Sequence, residues 1–114
     1  MMRLLLAGFL LNAVLFAAGV TGDWIFDVQL DAGSGTPSFS LKQNGEKLSG
    51  MYKGQFGEAP LEGTVKGNAI RFTFKLGGDA GEAVYEGTIE SDNAMKGKVS
   101  YAGQANGTFT AKRK

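Results

Sequence analysis

The side chains best suited to meet a ligand in this sequence are phenols. Tyr52, Tyr85 and Tyr101 are its three tyrosines, and each falls at an end of an alternating apolar segment. A phenol offers an aromatic face and a hydroxyl that can both donate and accept a hydrogen bond, a combination suited to holding a small molecule. Gln55, Phe56 and Gln104 stand in the connections beside them. Together these six side chains form a candidate cup, with Leu30, Leu61 and Leu76 at neighbouring segment ends. The same placement also suits tyrosines that only seal a core where it meets water.

The sequence offers little for catalysis. It has no histidine and no cysteine, which removes the commonest general bases, soft metal ligands and thiol nucleophiles. Ser38, Ser40, Ser49 and Ser100 occupy outward positions of their segments with no base in view. Asp27, Asp31, Glu62, Glu86 and Glu90 also read as outward and solvated; Glu86 or Glu90 can pair with Lys96 or Lys98 across a hairpin. The repeated glycines lie inside strand-like segments and precede no helix, so they do not form a phosphate-binding loop. No catalytic residue, metal or cofactor is expected.

What must position the tyrosines is a set of strands. From Gly22 onward the apolar residues recur with period two, and no stretch carries a period of 3.6. Trp24, Phe26, Val28 and Leu30 share one face of "GDWIFDVQLD"; Ile70, Phe72, Phe74 and Leu76 share one face of "AIRFTFKL". Six further segments alternate in the same way: "PSFSLKQ", "EKLSGMYK", "PLEGTVK", "AVYEGTIE", "AMKGKVSY" and "NGTFTAKR". Eight short strands with one apolar face each predict an all-β, antiparallel up-and-down meander whose closure into a barrel removes its edges.

The connections divide into two kinds. Asn44-Gly45, Gly67-Asn68 and Ser91-Asp92-Asn93 are tight hairpin turns. "AGSGTP", "GQFGEA", "GGDAG" and "AGQ" read as looser loops. Alternate loops of such a barrel share an end, so one end is tightly closed and the tyrosines fall at the other. A turn at Asn44-Gly45 sets Leu41 opposite Leu48 and Phe39 opposite Gly50. A turn at Gly67-Asn68 sets Gly63 opposite Phe72, and a three-residue turn after Tyr101 sets Gly97 opposite Phe109. Gly87 falls opposite Gly97 or Val99. An inward glycine opposite an inward phenylalanine gives the ring room over the backbone and lets a small barrel coil.

The N-terminal residues are of another kind. Arg3 precedes an apolar run from Leu4 to Ala18, and Ala17, Ala18 and Gly19 are small. This predicts a helical signal peptide over residues 1–19, cleaved near Val20, ahead of a single barrel domain over 20–114. A retained anchor is the other reading of the run. Loss of Arg3 from the 12 basic side chains would leave as many as the 11 acidic ones. A neutral domain gives no footprint for nucleic acid and little pull toward anionic lipid, so a membrane enters only through the uncleaved segment. The expected location is secreted or periplasmic. Export permits disulfides, yet without cysteine the fold must rest on its core.

Gly22-Asp23-Trp24 at the first strand and Arg113 on the Trp24 face of the last resemble the calycin pattern of lipocalins, fatty-acid-binding proteins and avidins. The resemblance implies a Trp24–Arg113 stack across the closed barrel bottom. "LSGMY" at Leu48–Tyr52 is similar to an avidin stretch, which implies a ligand-facing Tyr52. The other biotin contacts do not carry over: Phe26 stands where a polar residue is wanted, and Trp24 is the only tryptophan. Phrases such as "GTVKGN" and "GTFTAKRK" also resemble short exported bacterial β-proteins, which implies no activity. The expected function is a non-catalytic exported binding barrel with a shallow cup for a small apolar or aromatic ligand. The alternative is a protein-interaction or inhibitor module acting on an envelope or extracellular protein.

Overall fold

The computed structural model describes residues 19–77 and 80–114; the expected signal helix falls outside them. Nine strands follow in order: β1 (Gly22–Leu30), β2 (Gly33–Gly35), β3 (Ser38–Asn44), β4 (Lys47–Gly54), β5 (Gly57–Lys66), β6 (Ala69–Lys75), β7 (Glu82–Ser91), β8 (Ala94–Tyr101) and β9 (Ala105–Arg113). Eight of them, all but β2, form an antiparallel up-and-down barrel that closes where β9 pairs with β1.

The short β2 lies in the stretch expected to be a loose loop. Its alignment on β1 (Leu30 opposite Gly33, Val28 opposite Gly35) is the continuation of the β1–β3 alignment (Ile25 opposite Ser38, Trp24 opposite Phe39). β2 and β3 are thus one run of chain interrupted at Thr36–Pro37. Pro37 has no N–H to give, although its carbonyl still accepts from the Phe26 N–H at 3.0 Å. Two other expectations change. The β3–β4 turn is Gly45–Glu46, flanked by paired Asn44 and Lys47, so Phe39 faces Tyr52 and Leu41 faces Gly50. The "GQFGEA" stretch is a two-residue turn at Gln55–Phe56 between paired Gly54 and Gly57. The pairings Gly63–Phe72 and Gly97–Phe109 are present, and Gly87 faces Gly97.

Inward residues form one continuous core running from Val20 to Ala111. Aromatic rings fill it, as expected for a barrel this narrow. Phe26 stacks on Phe109 at 5.0 Å, Phe72 on Tyr85 at 5.0 Å and Tyr52 on Phe74 at 4.2 Å between centroids. The outward carboxylates are exposed; Glu90 pairs with Lys96 at 3.2 Å, whereas Glu86 reaches back to Arg71 on β6 at 3.5 Å. Exposed pairs of this kind contribute little to stability.

The inward glycines answer to backbone more than to rings. A Cβ on Gly63 would run into the Arg71 carbonyl oxygen and the Phe72 Cα, and one on Gly97 into the Glu86 carbonyl and the Gly87 Cα. Strands cross at these points too closely for any side chain, which lets the sheet coil tightly enough to close.

The closed end is sealed by the expected pair. Arg113 lies opposite Trp24, with its guanidinium carbon 4.6 Å from the ring centroid. The guanidinium donates to three carbonyls: Nε to Asp92 at 2.9 Å, Nη1 to Thr21 at 2.7 Å and Nη2 to Gly19 at 3.0 Å. A Cβ on Gly22 would stand 2.7 Å from Nη1, so the guanidinium occupies room that glycine leaves. Trp24 Nε1 donates to the Val20 carbonyl at 2.8 Å, and the Val20 N–H donates to Gln43 Oε1 at 3.0 Å. Val20 is thereby plugged into the barrel bottom.

Candidate functional site

The interrupted β2–β3 run opens the other end. β4 follows β3 only as far as the Ser38–Lys53 pair, and β2 pairs with β1 alone. The wall therefore parts between β2 and the β4–β5 turn. A cavity of about 620 Å³ lies at this parting. The β2 segment from Ala32 to Pro37 forms one side, Gly54–Phe56 the other, and Val28, Leu30, Tyr52, Tyr101 and Ala105 complete the lining. None of these residues is basic or acidic.

Four of the six expected cup residues, Tyr52, Gln55, Phe56 and Tyr101, line this cavity. Phe56 is half exposed and tilts over Tyr101, with centroids 5.4 Å apart. Gln104 does not line it; it is exposed in the β8–β9 turn, where its N–H donates to the Tyr101 carbonyl. Tyr85 is one layer deeper, fully buried against Phe72. Period two fixes the face on which Tyr85 lies, but its depth depends on the stagger between strands, which the pattern leaves open. Leu61 and Leu76 are likewise buried in the core and not among the lining residues. Sequence reasoning misses the β2 side of the cavity, because Gly-Ser-Gly carries no apolar alternation. The signal that could find it is Pro37, placed where a strand opposite β1 would otherwise continue.

The hydroxyls of Tyr85 and Tyr101 are hydrogen-bonded at 2.7 Å. Burial drives the Tyr85 phenol far above its ordinary range, and the Tyr101 and Tyr52 phenols beside it push the same way. Burial also pushes Tyr101 up to about 12, although its hydrogen bond with Tyr85 works in the other direction. Tyr52, only 2% exposed, accepts at its hydroxyl oxygen from the Phe56 N–H at 3.4 Å. The three hydroxyls thus form a row from the core to the cavity floor, neutral across the physiological range at Tyr85 and Tyr101. Phenols held neutral in this way offer hydrogen bonds without charge.

No protein-family model matches the chain, and no curated protein matches it. Solved structures do. A redesigned β-barrel, b11L5F_LGL, superposes with a TM-score of 0.72 at 13% identity over 88% of this chain and 96% of that one. The redesigned barrel mFAP0, bound to DFHBI, gives 0.65 at 14% identity over 82% and 98%. A fluorescence-activating β-barrel designed de novo gives 0.63 at 16% identity over 88% and 98%. At these identities the likeness is one of fold: this chain is a small closed β-barrel of the same architecture.

Proposed function

We propose that this chain is a non-catalytic binding barrel that takes a small apolar or aromatic molecule into the cup between β2 and the β4–β5 turn, and that it works outside the cytoplasm after export on residues 1–19. One observation carries the binding reading: a cavity of about 620 Å³ is built where the barrel wall parts, floored by Val28, Tyr52 and Tyr101 and overhung by Phe56. A concave, largely apolar site with a few placed polar groups is the usual form of a small-molecule pocket. Barrels of the same fold bound to DFHBI support it by analogy. The export reading is supported by Arg3, the apolar run and the small residues that end it. A calycin kinship is supported by the Gly22-x-Trp24 and Arg113 arrangement at the barrel bottom.

The test is a panel of aromatic fluorophores, DFHBI among them, read by saturable fluorescence and by amide chemical shifts. The expected shifts concentrate on Val28, Leu30, Thr36, Gln55 and Phe56. Gly35→Trp, which fills the cup from its β2 side, should abolish them. Absence of saturable binding across the panel, or shifts confined to the Trp24 end, would refute the reading. Export is tested separately by mass spectrometry of the protein recovered from its native cell, with a mature N-terminus expected near Val20 and an intact Met1 counting against it.

A second reading, a protein-interaction or inhibitor module, is favoured by the outer edge of β2, which pairs with no strand among the described residues. An extended partner segment could add there. Protection of Gly33–Gly35 amides on mixing with an envelope extract would favour this reading over the first.

A further inference from the structure

The row of phenols has a direction. Tyr85 is fully buried, and its hydroxyl has one hydrogen-bond partner among the described residues, the Tyr101 oxygen. If Tyr85 accepted there instead of donating, its own proton would be stranded in the core, an arrangement that costs more than the bond is worth. Tyr85 therefore donates to Tyr101. The Tyr101 proton must then point outward, toward the Tyr52 oxygen or the cup. The Phe56 N–H can only donate, so it can supply no acceptor at Tyr52. Two hydroxyl protons, those of Tyr101 and Tyr52, thus share a cavity floor where, among the described residues, neither is within hydrogen-bonding reach of an acceptor other than a phenol oxygen, and the two phenols can satisfy only one proton between them. At least one phenolic proton is left aimed into the cup.

Solvent can take that proton while the cup is open. A ligand that displaces the solvent must bring an acceptor of its own or forfeit the bond. The lining narrows the class further. It holds no Lys or Arg, so an anionic oxygen would lose its hydration with no countercharge, and a neutral oxygen fits better. The half-exposed ring of Phe56, tilted over Tyr101, favours a planar ring. Resting on the binding reading above, we propose that the cup selects neutral aromatic carbonyl compounds, with the carbonyl oxygen accepting the outward phenolic proton of the Tyr85–Tyr101–Tyr52 row and the ring lying under Phe56.

The experiment pairs 2-acetylnaphthalene with its hydrocarbon isostere 2-isopropenylnaphthalene, using the full barrel and the variant in which Tyr52, Tyr85 and Tyr101 are all replaced by Phe. That variant keeps every ring and strands no hydroxyl; the one group it leaves without its partner is the Phe56 N–H, in a turn residue that is half exposed. The ketone should bind the parent protein about tenfold tighter than the alkene, and this ratio should fall to about one in the triple variant. The infrared carbonyl stretch of the bound ketone should lie below its value in hexane for the parent protein and return toward it in the variant. Equal binding of ketone and alkene by the parent would overturn the carbonyl assignment while leaving the cup reading intact. Binding of neither would overturn both. Should the triple variant not fold, an unshifted carbonyl band in the parent protein alone still overturns the proposal.

Discussion

Tyr85 and Tyr101 meet diagonally across the β7–β8 pair: Tyr85 lies opposite Val99 and Tyr101 opposite Ala83, yet their hydroxyls stand 2.7 Å apart. Diagonal neighbours on one sheet face are within reach only of long side chains. Two phenols span the gap and close a polar contact inside an otherwise apolar core. That contact governs how the protein should respond to alkali.

Tyr101 is held up to about 12, chiefly by burial, and Tyr85 is driven higher for the same reason. In the unfolded chain both would ionise near the ordinary phenol value of about 10. Below pH 10 both states are protonated and the stability is unaffected. Above it the unfolded chain binds fewer protons than the folded one, so stability falls as pH rises from 10 toward 12 and, through Tyr85, beyond. Denaturation midpoints measured across this window should decline, and less steeply for Tyr101→Phe. A folded protein whose whole tyrosinate absorbance appears near pH 10 would contradict the burial of this pair.

Removing one hydroxyl of the pair strands the other. Tyr85→Phe should cost about 1–2 kcal/mol, because Tyr101 loses its buried partner while the ring packing against Phe72 is kept. Tyr85→Phe combined with Tyr101→Phe should cost less than the two single changes summed. Urea denaturation of the four proteins gives the coupling directly; strict additivity would show that the hydroxyls do not interact.

At the opposite end, Arg113→Lys should destabilise the barrel by about 2 kcal/mol despite keeping the charge. Lysine cannot reproduce a planar fork that serves the Asp92, Thr21 and Gly19 carbonyls while lying over Trp24. Trp24 emission should move to longer wavelength in the native state as the bottom loosens. Unchanged emission and stability would reduce the guanidinium to a surface ornament.

The sequence carried the faces of the strands well and the offsets between them poorly. Alternation alone places Trp24, Phe26 and Val28 inward, and the Gly67-Asn68 turn and a three-residue turn after Tyr101 give the Gly63–Phe72 and Gly97–Phe109 pairings. The β3–β4 turn shows the limit. Moving it from Asn44–Gly45 to Gly45–Glu46 slides the partner by two residues, which keeps every side chain on its own face. Hydrophobic pattern cannot tell the two apart. The cup was half legible for a related reason. Phe56, Tyr52 and Tyr101 announce themselves, whereas the β2 side is backbone, held in place by continuity with β3 and broken at Pro37.

The inward glycines allow a last test that separates two physical accounts of the same pairing. If Gly63 exists to make room for the Phe72 ring, then Gly63→Ala should be harmful alone and largely rescued by Phe72→Ala. If it exists because β5 and β6 cross too closely, the ring is irrelevant. A methyl at position 63 meets the Arg71 carbonyl oxygen, the Phe72 Cα and the Phe72 Cβ, all of which survive in Phe72→Ala. The second account predicts that Gly63→Ala costs at least about 2–3 kcal/mol through displaced backbone. It also predicts that adding Phe72→Ala makes matters worse by the loss of a buried ring. Gly77→Ala serves as the control, since a Cβ there meets nothing within 4 Å among the described residues, and it should be neutral to within about 0.5 kcal/mol. Recovery of stability in the Gly63→Ala, Phe72→Ala double variant would restore the ring-centred account. Its further decline would mark these glycines as the points where so short a chain obtains the curvature to close.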